Sequence, residues 1–148
     1  MTLVMKFGGT SVGSAQAMRE TAVLIQHTKK QWGPTVAIVS AMGSKPVKVT
    51  DLLLNGAHSA AQGDGETYQR LAEQLRQIHF EAIDGLLAPD EERQQILVEN
   101  GRFIDRFAAL CQAVYVLGEL TPRALDTVAG MGEQMSARIL AAYLRQTG

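Results

Sequence analysis

The sequence has few of the residues that tie small folds together covalently or through metals. A single cysteine, Cys111, stands among 148 residues, so no disulfide can form within the chain. It falls on an apolar helical stripe and reads as a buried thiol kept in a reducing compartment. The three histidines, at 27, 58 and 79, show none of the spacings that hold a metal. A net charge of −1 leaves no basic excess for nucleic acid or an anionic membrane surface. No apolar run approaches the ~20 residues of a membrane span. The first strand begins so near Met1 that no secretory leader is expected, and a cytoplasmic location follows as the default. What is present is a chain 46% hydrophobic, suited to one globular core.

Periodicity divides the chain into two short strands and several helices. Residues 2–7 read as a buried strand. From Ala15 the pattern is helical, with Met18, Ala22, Ile25 and Trp32 on one stripe, Ser14 as N-cap and Gly33-Pro34 as the stop. Thr35–Ser40 is a β-branched apolar run suited to a strand buried on both faces. Strand, helix and strand with short joins predict a parallel βαβ unit. Met42–Val47 reads as a loop and Val49–Ala61 as a short helix. Residues 66–87 form a longer helix. Another opens at Pro89-Asp90, with Ile96, Phe103, Phe107, Leu110, Val114 and Leu117 on one side; Gly101 is a candidate break in it. Thr121-Pro122 starts a further helix. Gly130-Met131-Gly132 breaks it, and Glu133–Gln146 resumes with Met135, Ile139 and Ala142 inward. Two parallel strands make a small sheet for so many helices. A third strand is expected beyond Gly148, which would make the 148 residues the front part of a longer α/β domain.

Three segments carry chemistry. In Lys6-Phe7-Gly8-Gly9-Thr10-Ser11, a lysine, two glycines and two hydroxyls sit where a strand hands over to a helix. Glycines admit close approach of backbone N–H groups to an anion, and a helix start adds partial positive charge. Lys6 precedes the glycines, whereas a Walker A loop places its lysine after them, so this is no P-loop. The alternative for the hexapeptide by itself is an ordinary glycine-rich strand-to-helix turn. The second segment, Val39-Ser40-Ala41-Met42-Gly43, follows the second strand, at the strand ends where open sheets bind ligands. Ser40 there either binds nearby backbone or a ligand. Thr50-Asp51 is an N-cap pair or part of the same site. The third, Gly130-Met131-Gly132-Glu133-Gln134-Met135-Ser136, delivers an acid at a helix start. Glu133 is either simply well placed against the helix dipole or presented to a cationic ligand.

Taken in order, KFGGTSVG at 6–13, VSAMG at 39–43 with TDLL at 50–53, and GE-x-MS at 132–136 resemble the aspartokinases of the amino-acid kinase family. The resemblance implies a partial three-layer αβα kinase domain, α/β in class, with few parallel strands and several long helices. It implies transfer of the γ-phosphoryl group of ATP, carried with Mg²⁺, to the side-chain carboxylate of L-aspartate, at the head of the routes to lysine, threonine and methionine. Under it Lys6 contacts the phosphates and stabilises the transition state. Phe7, Gly8, Gly9 and Ser11 complete the nucleotide-binding loop, Ser40 and Thr50 hold the aspartate carboxylate, and Glu133 accepts the substrate ammonium. Lys45 and Lys48, in a segment longer than the equivalent loop of several members, either add positive potential near the nucleotide or are simply solvated. The second glycine-rich motif, the adenine-binding lobe and the regulatory domains of the family would lie past residue 148. The isolated chain is therefore expected to be catalytically silent, and the complete enzyme to be a homodimer. Two other readings are open: another amino-acid or acylphosphate kinase, such as a glutamate or carbamate kinase, and a non-catalytic ligand-binding domain.

Overall fold

Alternation of Leu3, Met5 and Phe7 with Val4 and Lys6 gives strand β1, Leu3–Phe7. The computed structural model describes every residue except Lys45, so the basic side chain anticipated at that position lies outside the described residues. β1 is followed by a 3₁₀ turn at Gly9–Val12 and helix α1, Ala15–Trp32. Strand β2, Thr35–Val39, then pairs with β1 in parallel, Leu3 against Thr35 and Phe7 against Val39. This is the anticipated βαβ unit.

Only one face of the two-stranded sheet is covered. Phe7 is buried and Met5, Ala37 and Val39 pack against the core. On the other face Val4, Val36 and Ile38 are 60%, 49% and 50% exposed. The expectation that β2 is buried on both sides is corrected here: among the described residues, α1 and α6 both pack on the same side. Trp32 is also exposed rather than on the core stripe, because it lies in the last turn of α1, past the edge of the helical layer.

The segment expected to be a loop contains a small antiparallel hairpin, β3 at Gly43–Ser44 and β4 at Val47–Lys48, leading directly into α2, Val49–Ala61. Helices α3, Gly65–Leu86, and α4, Glu91–Leu117, run antiparallel. Their register is marked by Arg76–Asp105 at 2.6 Å, Arg93–Asp84 at 2.5 Å and a Tyr68–Gln112 hydrogen bond. At 27 residues, α4 is about 40 Å long. Gly101 does not interrupt it; Arg76 and Phe80 of α3 lie over that position. Leu117, expected inward, is exposed because the helix outruns its partner there.

Helix α5, Pro122–Ala129, meets α6, Met131–Thr147, at Gly130, so the last helix begins two residues before Glu133. Ser14, Asp64, Asp90 and Thr121 each cap a helix by accepting the amide three residues on, at 2.9–3.2 Å. Phe107, Met18, Leu53, Leu75, Ile83, Ile104, Met131, Met135 and Ile139 fill the interior. Among the described residues, no helix is long and apolar enough to cross a membrane.

Candidate functional site

The two strand ends are tied together by backbone. The Ser40 N–H donates to the Phe7 carbonyl at 3.1 Å, so the chains leaving β1 and β2 run side by side beyond the carboxyl edge of the sheet. Phe7 anchors this edge with its ring in the core. Gly8 is extended and supplies no side-chain cap to the 3₁₀ turn that follows, so the first amides of that turn are not satisfied by a cap.

Gly9 presses directly on the second loop. A Cβ at this position would stand 3.0 Å from the Ala41 carbonyl oxygen and 3.3 Å from that of Gly43. Both obstacles are backbone, so a larger residue would push the loops apart. The third segment reaches the same loop from the opposite end of the sequence. A Cβ on Gly132 would stand 2.6 Å from the Ala41 Cβ and 3.1 Å from Val49 Cγ1. Ser136, with no exposed surface, donates its hydroxyl to the Ser40 carbonyl at 2.6 Å. The first and third segments thus both close on the turn from Ser40 to Gly43.

A cleft of about 280 Å³ opens at this junction. Gly9 and Thr10 line it from the first segment, Ser40 to Gly43 from the second, and Lys48 and Thr50 from the start of α2. Among the described residues the Ser40 and Thr50 hydroxyls have no hydrogen bond to protein, which leaves them available to a ligand. Thr50 and Asp51 do not cap α2; that place is taken by Lys48, and they fall within the first turn. Glu133 follows Gly132 in the first turn of α6. Its Oε2 is buried and has no hydrogen-bond partner among the described residues. A buried carboxylate oxygen without a donor is costly, and a ligand ammonium would satisfy it.

Not every residue singled out in the sequence lines the cleft: Phe7, Gly8 and Glu133 are not among its lining residues. Lys6 is exposed on the open face of β1, opposite Ile38. Ser11 borders a separate hollow with Thr21 and Leu24, its amide donating to the Gly8 carbonyl and its carbonyl accepting from the Thr21 hydroxyl. Conversely, Thr10, which the sequence did not mark as a site residue, lines the cleft as well as the hollow beside Ser11. Lys48 lines the cleft too, and its position two residues before Thr50 was the available signal.

Known proteins are similar to this chain in sequence and in fold. The chain is 32% identical over 145 residues to the chloroplastic bifunctional aspartokinase/homoserine dehydrogenase 1 of Arabidopsis thaliana, a match covering 98% of this chain and 15% of that protein. Its fold superposes on the structure of aspartokinase III from E. coli in complex with lysine and aspartate with a TM-score of 0.80 at 24% identity, covering 99% of this chain and 29% of the other. The same enzyme in complex with aspartate and ADP gives a TM-score of 0.79 at 24% identity, with the same coverage. The chain therefore spans well under a third of the length of each of these proteins. The sequence profile of the amino acid kinase family matches residues 1–148. Over its whole length, the chain belongs to the amino acid kinase family.

Proposed function

We propose that these 148 residues form the acceptor-binding and phosphate-facing part of an aspartate kinase, which transfers the γ-phosphoryl group of ATP to the side-chain carboxylate of L-aspartate. One observation carries the reading: three segments far apart in the sequence converge on the Ser40–Gly43 turn, through the Ser136–Ser40 hydrogen bond, which spans 96 positions, and the close packing of Gly9 and Gly132 on Ala41. Phosphoryl transfer asks for positioning and charge neutralisation and for little covalent work by the protein. Gly8 and Gly9 offer backbone donors for phosphate oxygens, and Lys6 adds a mobile cation at the strand tip. Ser40 and Thr50 donate hydroxyls to the aspartate carboxylate. Glu133 takes the ammonium, for which its unsatisfied oxygen is suited. Ser11 serves the phosphate loop by holding its turn. Mg²⁺ arrives bound to the nucleotide as part of the substrate.

The wider setting belongs to the same proposal: a role at the head of lysine, threonine and methionine synthesis, a homodimeric complete enzyme, and a cytoplasmic location in keeping with the reduced, buried Cys111.

Aspartate titrated into the ¹⁵N-labelled chain should shift the amide signals of Ser40, Thr50 and Glu133. Succinate, which lacks the ammonium, should not. A hydrogen bond to a charged group contributes ~1.5–3 kcal/mol, so Glu133→Gln should weaken aspartate at least tenfold. Equal binding of succinate would refute the role of Glu133. Preference for glutamate would transfer the reading to another amino-acid kinase.

A further inference from the structure

We propose that Lys48 is a second cation, in addition to Lys6, that meets the transferring phosphoryl group at the cleft, a role that rests on the kinase reading above. Lys48 lines the cleft together with Gly9, Thr10 and Thr50, whereas Lys6 does not. In the hairpin it pairs with Gly43, and its Cγ lies 3.5 Å from the point a Gly43 side chain would occupy. The bare glycine leaves room for the aliphatic stem of the lysine to lie against the hairpin.

Its placement is poor for stability. Four helices of this chain begin with Ser14, Asp64, Asp90 or Thr121, each accepting a backbone amide. Helix α2 begins with Lys48 instead, and no side chain caps it. A cation beside the positive end of a helix is unfavourable, and lysine has no acceptor with which to cap. The Lys48 side chain is exposed and meets no carboxylate among the described residues. The ion pairs among the described residues involve Arg76, Arg93, Arg138 and Arg145, and Asp51 in the same turn is exposed and makes none. Lys48, the uncapped start of α2 and the uncapped 3₁₀ turn of the first segment therefore direct positive charge into one cleft.

The anion that suits this set is a terminal phosphoryl group. It has several oxygens for the amides and the largest charge for the ammonium. In the reaction a carboxylate oxygen of aspartate forms a bond to the γ-phosphorus. The bond from that phosphorus to the β,γ-bridging oxygen breaks, and ADP departs with the electron pair. The carboxylate attacks ionised, so no proton need move, and Lys48 acts by charge alone.

Inorganic tripolyphosphate is the probe for this role, titrated into the full chain at low ionic strength alongside aspartate. Lys48→Met should weaken tripolyphosphate at least tenfold, leave aspartate within twofold, and not lower the melting temperature. Lys48→Asp, which supplies the missing cap, should raise the melting temperature and abolish tripolyphosphate binding. Lys30→Met, on the exposed side of α1, is the control and should change neither ligand. Unchanged tripolyphosphate affinity in Lys48→Met would overturn the proposal, as would failure of the parent chain to bind tripolyphosphate or a matching loss of aspartate. Failure of the parent chain to bind aspartate while tripolyphosphate binding still depends on Lys48 would count against the acceptor assignment alone.

Discussion

Replacing Gly132 by alanine tests the convergence of the site at its tightest point. The added methyl would begin 2.6 Å from the Ala41 Cβ and 3.1 Å from Val49 Cγ1. Carbon atoms prefer about 3.5–4.0 Å, so α6 must retreat from the turn by roughly 1 Å. Overpacking of this kind costs about 1–3 kcal/mol, and the upper half applies because the Ala41 Cβ is fixed to the backbone and cannot swing aside. Alanine returns about 1 kcal/mol of helix propensity. The net loss is then about 1–2 kcal/mol, a fall in melting temperature of roughly 2–8 °C for a chain of this length. Urea denaturation followed by circular dichroism gives the stability directly. Ala41→Gly should relieve the clash, so the Gly132→Ala, Ala41→Gly pair should recover at least about 0.5 kcal/mol relative to the sum of the single changes. Aspartate should also bind more weakly to Gly132→Ala, because Glu133 moves with the helix. A Gly132→Ala protein as stable as the parent, with strictly additive behaviour of the pair, would refute the packing described.

Two further predictions concern buried titratable groups. Burial lowers the pKa of His79, whose Nδ1–H donates to the Leu75 carbonyl at 2.7 Å and whose Nε2 has no partner among the described residues. The folded chain keeps His79 neutral while the unfolded chain takes up a proton near pH 6.5, so stability should fall as pH drops below about 6.5. His79→Gln should flatten that dependence between pH 7.5 and 5.5; an identical slope in the variant would remove His79 as its source. Burial also pushes the Cys111 thiol up to about 12. A thiol-specific reagent at pH 8 should therefore label Cys111 only as fast as the chain opens, and rapid labelling of the native protein would contradict this.

Much of the architecture was legible because local rules acted alone. Ser14, Asp90 and Thr121 stand where caps are expected, and the Val49–Ala61 boundaries follow from the apolar spacing and Gly63. The sheet was harder. Val36 and Ile38 are apolar and β-branched whether or not anything covers them, so composition could not show that one face is open. Gly101 suggested a break from its low intrinsic propensity, yet packing against α3 holds the helix through it. At the site, the glycines and Glu133 stood out by type, and the turn they share with Ser40 was implied by the parallel strand pair. That Thr10 borders both hollows while Ser11 does not reach the cleft was hidden, because adjacent residues of a 3₁₀ turn point about 120° apart and only the turn decides which faces the cleft. Lys48 was obscured for a different reason: a charged residue before a helix is usually solvated, and the hairpin that aims it is a tertiary feature.

The hydrogen bond from Ser136 to Ser40 has a temporal meaning during synthesis. At ribosomal speeds of about 5–20 residues per second, the turn after β2 waits roughly 5–20 s for the helix that secures it. Until then the early glycines and the hairpin are present without Glu133. A nascent chain thus lays down its glycine loop and hairpin first and brings Glu133 to them last. Closure of this junction becomes a report that the intervening four helices have docked.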